Sequence, residues 1–243
     1  MKTTSRWTIG ALLALLAWPA TAQEGYWRST VVAYGWLPSI DGSFKIGPVE
    51  GPVDVGIDQV LTNIELAAFG RYRGESERWS VVGDVMFASL GATRDAQLTH
   101  TEVDMDMLVA QGNVGYKFRP DAEVYFGTRW VKFKTDVDVR GAGGGHRVIS
   151  GDNSMWDPVV GLRTHQSFGE HWRFQAEGDI GGGANMDFTA AGMVNVGYQY
   201  SPLISFWGGL RAIYADFDHS GSHNRMSAEA TFWGPQAGVA FTF

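Results

Sequence analysis

Residues 228–243 (AEATFWGPQAGVAFTF), the end of the chain, constrain the fold more than any other stretch. Counted back in twos, Phe243, Phe241, Val239, Ala237, Pro235 and Trp233 fall on one side. Thr242, Ala240, Gly238, Gln236 and Gly234 fall on the other. Two is the period of a strand, whose successive side chains leave opposite faces. One face here is apolar and ends in aromatic residues, while the other is small or polar. A strand of a water-soluble sheet rarely ends a chain this way, because termini are usually solvated and loosely held. A strand facing hydrocarbon does so naturally, since aromatic side chains settle at the membrane interface.

The amino terminus sets the compartment. Lys2 and Arg6 precede an apolar run over residues 9–18, and Ala20-Thr21-Ala22 is small at both ends. This is the pattern of a secretory signal peptide, residues 1–22, cleaved after Ala22. The run is shorter than the roughly 20 residues a spanning helix needs. Arg, Asp, Glu or Gly breaks every later apolar run, so a membrane role requires a barrel of strands. Removing residues 1–22 takes away two cations and no anion, so the formal charge of −7 becomes −9 over residues 23–243. That balance argues against nucleic-acid partners. There is no cysteine, so an exported form has no disulfides and rests on its sheet. With 32 Gly and 13% aromatic residues, the composition fits curved strands and interfacial rings better than a helical core.

Strand patterns recur over residues 26–36, 64–73, 79–90, 102–118, 123–139, 155–168, 172–184, 187–200, 203–217 and 228–243. These make about ten strands, each near the roughly ten residues a tilted spanning strand requires. Short turns lie at residues 74–78, 119–122, 169–171 and 201–202, on the side of the termini. Longer polar connections lie on the other side at 37–63, 91–101, 140–154 and 218–227, with the brief link at Asn185-Met186 as an exception. Within 37–63, residues 43–47 and 53–57 read as an outer hairpin followed by a helical turn at 58–63. The alternatives are two further spanning strands, giving twelve, or an inward plug.

The signal peptide, alternating strands, loop asymmetry and terminal Phe243 together resemble a Gram-negative outer-membrane β-barrel protein of the small, porin-like class, over residues 23–243. The resemblance implies an all-β, antiparallel up-and-down transmembrane barrel with short periplasmic turns, longer outer loops and outer-membrane lipid around it. It also implies that Phe241 and Phe243 belong to a terminal strand read by the barrel-assembly machinery. The stretch Trp36-Leu37-Pro38-Ser39-Ile40-Asp41-Gly42 resembles uncharacterised members of such families and brings no activity with it.

Alternation also assigns an interior. Arg28, Glu65, Arg71, Arg73, Asp84, Arg129, Arg163, His165, Arg173, Gln175, Glu177, Asp179, Asn195, Arg211 and Gln236 are expected to point inward. A lipid-facing Arg or Lys near mid-bilayer costs about 2–4 kcal/mol, which drives such residues to the lumen. There they form either a closed network that holds the barrel shape or a narrow passive pore for small polar or anionic solutes. A surface-interaction role through the outer loops is the alternative, and an outer-membrane hydrolase is less favoured. His100, His146, His219 and His223 lie in outer connections, but no nucleophile elbow or His-Glu-x-x-His run accompanies them. The spacing Asp216-x-Asp218-His219-x-x-x-His223 is ligand-like without being fixed, and residues 141–145, although glycine-rich, precede no helix that would cradle phosphate. No catalytic residue, metal or cofactor is expected.

Overall fold

The computed structural model describes residues 27–46, 49–96, 99–141, 146–220 and 225–243. The predicted signal peptide, residues 1–22, lies outside them. In chain order the elements are β1 (Arg28–Trp36), β2 (Ser39–Ile46), β3 (Val49–Val55), helix α1 (Ile57–Asn63), β4 (Ile64–Glu75), β5 (Trp79–Ala96) and β6 (Thr99–Arg119). They continue with β7 (Ala122–Gly141), β8 (His146–Phe168), β9 (Trp172–Gly181), β10 (Phe188–Gln199), β11 (Ile204–Ser220) and β12 (Arg225–Thr242).

Strand β1 pairs with β4, β4 to β12 follow in sequence, and β12 returns to β1, so ten antiparallel strands close a ring. The stagger of that ring can be read from its direct partners. Thr30 leads through Arg73, Val82, Asn113, Gly127, Val159, Gly181, Thr189, Ala215 and Ala230 to Gly42, which is 12 residues further along the first strand. Ten strands with this shear tilt by about 40° and enclose a backbone cylinder of roughly 10 Å radius.

Strands β2 and β3 stand outside the ring and form the outer hairpin, and α1 supplies the helical turn. The twelve-strand and plug alternatives are not adopted. Strand β2 is in effect the continuation of β1. The ladder with β12 stops at Trp36↔Gln236 and resumes in the same register at Ser39↔Trp233. In between, the Leu37 N–H donates to the Pro235 carbonyl at 3.0 Å, and Pro38 has no N–H to give. A Cβ at Gly234 would come within 2.0 Å of the Leu37 carbonyl oxygen, so this crossing needs glycine.

The long outer connections differ from expectation. Three of them are hairpins whose ladders run to Ala96↔Thr99, Arg140↔His146 and Ser220↔Arg225. The period of two continues there but changes sense, and a reading that looked for apolar outward residues therefore ended the strands too early. On β8, outward Trp156, Val160, Leu162 and Phe168 are all exposed. The 12-residue rise from Trp156 to Phe168 spans about 30 Å along the axis at this tilt, close to the ~25 Å apolar band of such barrels. Aromatic pairs mark the lower rim at Trp79–Tyr116 and Trp172–Tyr198, both 5.2 Å between centroids, and Phe188–Tyr214 marks the upper rim at 5.9 Å. Above Trp130↔Trp156 the outer face turns polar, with Lys132–Asp152 at 3.1 Å, Lys134–Asp136 at 2.8 Å and Ser89 donating to Asp106 at 2.7 Å.

The wall is also interrupted above this level. Strand β5 beyond Leu90 pairs with β6 alone, and among the described residues β3 pairs with β2 alone. Strand β9 begins its ladder with β8 only at Val159, and β10 leaves β11 at Asp216. The outer half therefore consists of two four-stranded walls, β5–β8 and β11–β12–β2–β3. Notches separate them over β4, beside α1, and over the β9–β10 turn.

Candidate functional site: a charged lock beneath an apolar chamber

The inward residues of the membrane-spanning half meet across the lumen as an alternating series of charges. Arg211 pairs with Asp84 at 2.5 Å, Asp84 with Arg71 at 3.2 Å, and Arg71 with Glu177 at 2.6 Å. Glu177 holds Arg163, which also pairs with Glu123. Glu123 pairs with Arg73 at 3.0 Å, Arg73 with Glu75 at 2.9 Å and Glu75 with Lys117 at 2.9 Å. Beside the series, Arg129 pairs with Asp179 at 2.5 Å, and Asp179 also accepts from Gln111 and Tyr125. With Asp157, six cations face six carboxylates. An ion this deep is tolerated only when its charge is answered, and each of these is ion-paired except Asp157, which accepts from three backbone N–H groups.

Two inward glycines make room for the longest members. A Cβ at Gly127 would come within 2.0 Å of the Gly112 carbonyl oxygen, and one at Gly209 within 1.9 Å of that of Val194. Each glycine lies two residues before an inward arginine, Arg129 or Arg211. Arg211 also stacks over Tyr34 at 5.2 Å and donates from Nη1 to Met86 Sδ at 2.9 Å. The result is a filled lumen. The cavity lined by Arg71, Asp84, Glu177, Asp179 and Arg211 measures about 20 Å³, room for about one water.

Asp157, fully buried, shapes the outer side of the lock. Its carboxylate accepts from the backbone N–H groups of Ala184, Asn185 and Met186 at 3.1, 2.9 and 3.1 Å. Gly182 and Gly183, at φ of 132° and 86°, turn the chain inward so that these three amides converge. The brief Asn185-Met186 link is thereby folded into the barrel, with Met186 buried over the charges.

Above the lock the interior becomes apolar. Val32, Trp36, Met86, Val109, Val131, Met155 and Met186 form a buried cluster, and Phe69, Met107, Phe133, Ile213, Ala215 and Phe232 pack on it while remaining partly open. Over their described side chains the two outer walls thus have polar or charged exteriors and apolar inner faces. That is the inverse of the spanning half, where the exterior is apolar and the interior charged.

Of the residues expected inside, Arg71, Asp84, Arg129, Arg163, Asp179, Asn195, Arg211 and Gln236 are buried, and Arg73 and Glu177 are half-buried members of the same network. His165 and Gln175 are half-buried register partners below it. Arg28 and Arg173 are exposed at the periplasmic mouth, where Arg28 lies 3.8 Å from Glu75. Glu65 departs from its inward assignment. The β4–β5 register shifts between Ile64 and Leu66, and this bulge turns an exposed Glu65 onto Gly91, where a Cβ would meet Oε1 at 2.5 Å. Sequence reasoning missed Glu123, Asp157, Tyr34 and Tyr125, although counting back in twos from Arg129 and Arg163 reaches Tyr125, Glu123 and Asp157.

Phe241 and Phe243 are outward and exposed, and Phe243 exchanges backbone hydrogen bonds with Ser29 at 2.8 and 2.9 Å. The side chains of His100, His146, Asp218, His219 and His223, and residues 142–145 of the glycine-rich stretch, lie outside the described parts. Among the described residues no three His, Asp or Glu side chains gather to hold a metal. His171 lies at the periplasmic turn with its ring 5.6 Å from that of Tyr198.

The chain has the fold of a Gram-negative outer-membrane β-barrel protein. No protein-family model and no curated protein matches it. Among solved structures it is similar to the outer membrane protease OmpT from Escherichia coli at a TM-score of 0.62 and 10% identity, covering 89% of this chain and 97% of that one. Two further similar structures are Ail, the attachment invasion locus protein of Yersinia pestis (TM-score 0.37, 11% identity, 90% and 99% covered), and the translocator domain of autotransporter NalP from Neisseria meningitidis (0.36, 13%, 96% and 94%). At such identities the likeness to OmpT is one of fold alone, and the other two carry no argument.

Proposed function

We propose that this protein is a closed, non-conducting barrel of the Gram-negative outer membrane that acts at the cell surface through its outer half rather than as a solute pore. The observation that carries this reading is the unbroken series of paired charges from Arg211 to Lys117. A passive channel needs a continuous wet path with weak, multiple sites, and charges that satisfy one another across the axis leave neither path nor free site. The two raised walls account for where the rest of the chain is spent. They add little to anchoring, since their exteriors are polar.

In this reading residues 1–22 are removed on export, the strand ending in Phe241 and Phe243 engages the assembly machinery, and the surrounding partner is outer-membrane lipid. The test is current across planar lipid bilayers containing the purified, folded protein. The expected record is flat at moderate voltage. Reproducible ohmic steps that change ion preference on replacing Arg71 or Arg129 would restore the pore reading.

A further inference from the structure

The apolar chamber carries a feature that packing alone does not explain. At its floor, Trp36 and Gln236 are direct register partners on β1 and β12, both pointing inward and both only 3% exposed. The indole N–H of Trp36 has no acceptor, and the Gln236 Oε1 has no donor. The Gln236 amide nitrogen is already used, donating to Asn195 at 2.9 Å. One buried donor and one buried acceptor, on paired positions of the ladder, are thus unanswered. Each carries the desolvation cost of an unmade hydrogen bond. Around them Met86, Met155 and Met186 are buried, whereas Phe69, Phe133 and Phe232 keep apolar surface partly open.

We propose that the chamber binds an apolar molecule bearing a single hydroxyl, a long-chain alcohol being the simplest member of the class. The hydroxyl oxygen accepts from Trp36 and its proton is donated to Gln236, so one group answers both orphans. The hydrocarbon lies between the two walls against the thioethers and phenyl rings. Methionine-rich linings adapt readily to unbranched chains. A carboxylate answers only the indole and leaves its charge in an apolar site, and an alkane answers neither group. The β4–β5 ladder ends at Ile64↔Leu90, beside exposed Leu61 and Leu66, and an alkyl chain enters from the lipid through that gap. The inference rests on the closed lumen, which is the chamber's floor. The two are tested apart, one by current and the other by ligand uptake.

The experiment is equilibrium dialysis of labelled 1-decanol and of labelled decane against the full protein in phospholipid nanodiscs, with empty nanodiscs subtracted. Trp36→Phe and Gln236→Met are compared with the unmodified chain, and heat-modifiable gel mobility reports that each is folded. The expected result is one saturable 1-decanol site, weakened about three- to tenfold by either substitution, with decane bound more weakly and changed less than about twofold. Absence of saturable 1-decanol uptake would overturn the proposal. So would uptake indifferent to both substitutions, or equal affinity for decane and 1-decanol, which would mean that water alone occupies the seat between Trp36 and Gln236.

Discussion

Replacing Glu177 with glutamine probes the lock at its most shared point. The Glu177 carboxylate accepts from Arg71 at 3.0 and 2.6 Å and also from Arg163. Both guanidiniums are nearly sealed, with side-chain exposures of 7% and 1%. Glutamine keeps the shape and one acceptor oxygen but removes the charge, and its amide hydrogens face donors that need acceptors. Removing one member of a buried ion pair costs about 3–5 kcal/mol. Here Arg71 retains Asp84 and Arg163 retains Glu123, which places Glu177→Gln near the lower bound, at about 3 kcal/mol. Urea unfolding in phospholipid vesicles, followed by tryptophan fluorescence, measures this. Glu229→Gln is the control, because Glu229 is exposed and accepts from Tyr214 at 3.0 Å, so its loss costs less than about 0.5 kcal/mol. Adding Arg71→Met and changing residue 177 to leucine leaves Asp84 with Arg211 and Arg163 with Glu123, so the double variant recovers at least about 1 kcal/mol relative to the summed single losses. A Glu177→Gln loss below about 1 kcal/mol, or strict additivity, would refute the idea that these charges act as one body.

Three further outcomes follow from the same geometry. Val194→Arg, on the lipid side opposite Leu210, is expected to cost about 2–4 kcal/mol, while Asp152→Arg above the girdle costs little; equal costs in the same unfolding assay would misplace the membrane. Asp157→Ala frees the amides of Ala184, Asn185 and Met186, and their hydrogen exchange is expected to speed up at least about tenfold, given about 1.5–3 kcal/mol for a bond to a charged acceptor; unchanged protection would show the link is held by something else. Gly209→Ala forces a methyl against the Val194 carbonyl and is expected to lose about 1–3 kcal/mol and shift Arg211, whereas Gly83→Ala, with open space at its Cβ, is close to neutral; thermal loss of the folded gel band separates the two.

Much of the ring was legible because lipid enforces a simple rule. Apolar outward residues such as Val194, Leu210 and Phe241 alternate with inward Asn195, Arg211 and Gln236, and one period of two serves both environments. The rule failed where the solvent changed. Above Trp130 and Trp156 the outward positions meet water, so Lys132, Lys134 and Asp152 sit outside and Phe133 and Met155 inside. A reader expecting one sense of alternation sees only polar loop. Glu65 failed for a different reason, since a bulge shifts phase by one residue and leaves no mark in composition. Within the lock, Arg71 and Asp84, Glu123 and Arg163, and Arg163 and Glu177 are neighbours in the ladders, but the partners that bridge distant strands were beyond reach. A shear of 12 sets which distant strands face each other, and nothing local tells Arg71 on β4 that Glu177 on β9 is its counterpart.

The stitching of charges joins strands from early and late in the chain, with Asp84 waiting for Arg211 and Arg71 for Glu177. A half-built sheet in a bilayer would leave the long-range half of this network unanswered and facing hydrocarbon until β9 and β11 arrive. Insertion and closure are therefore obliged to happen nearly together, so intermediates curled but unsealed should be scarce, and the seam where Phe243 meets Ser29 is the point at which the whole molecule commits.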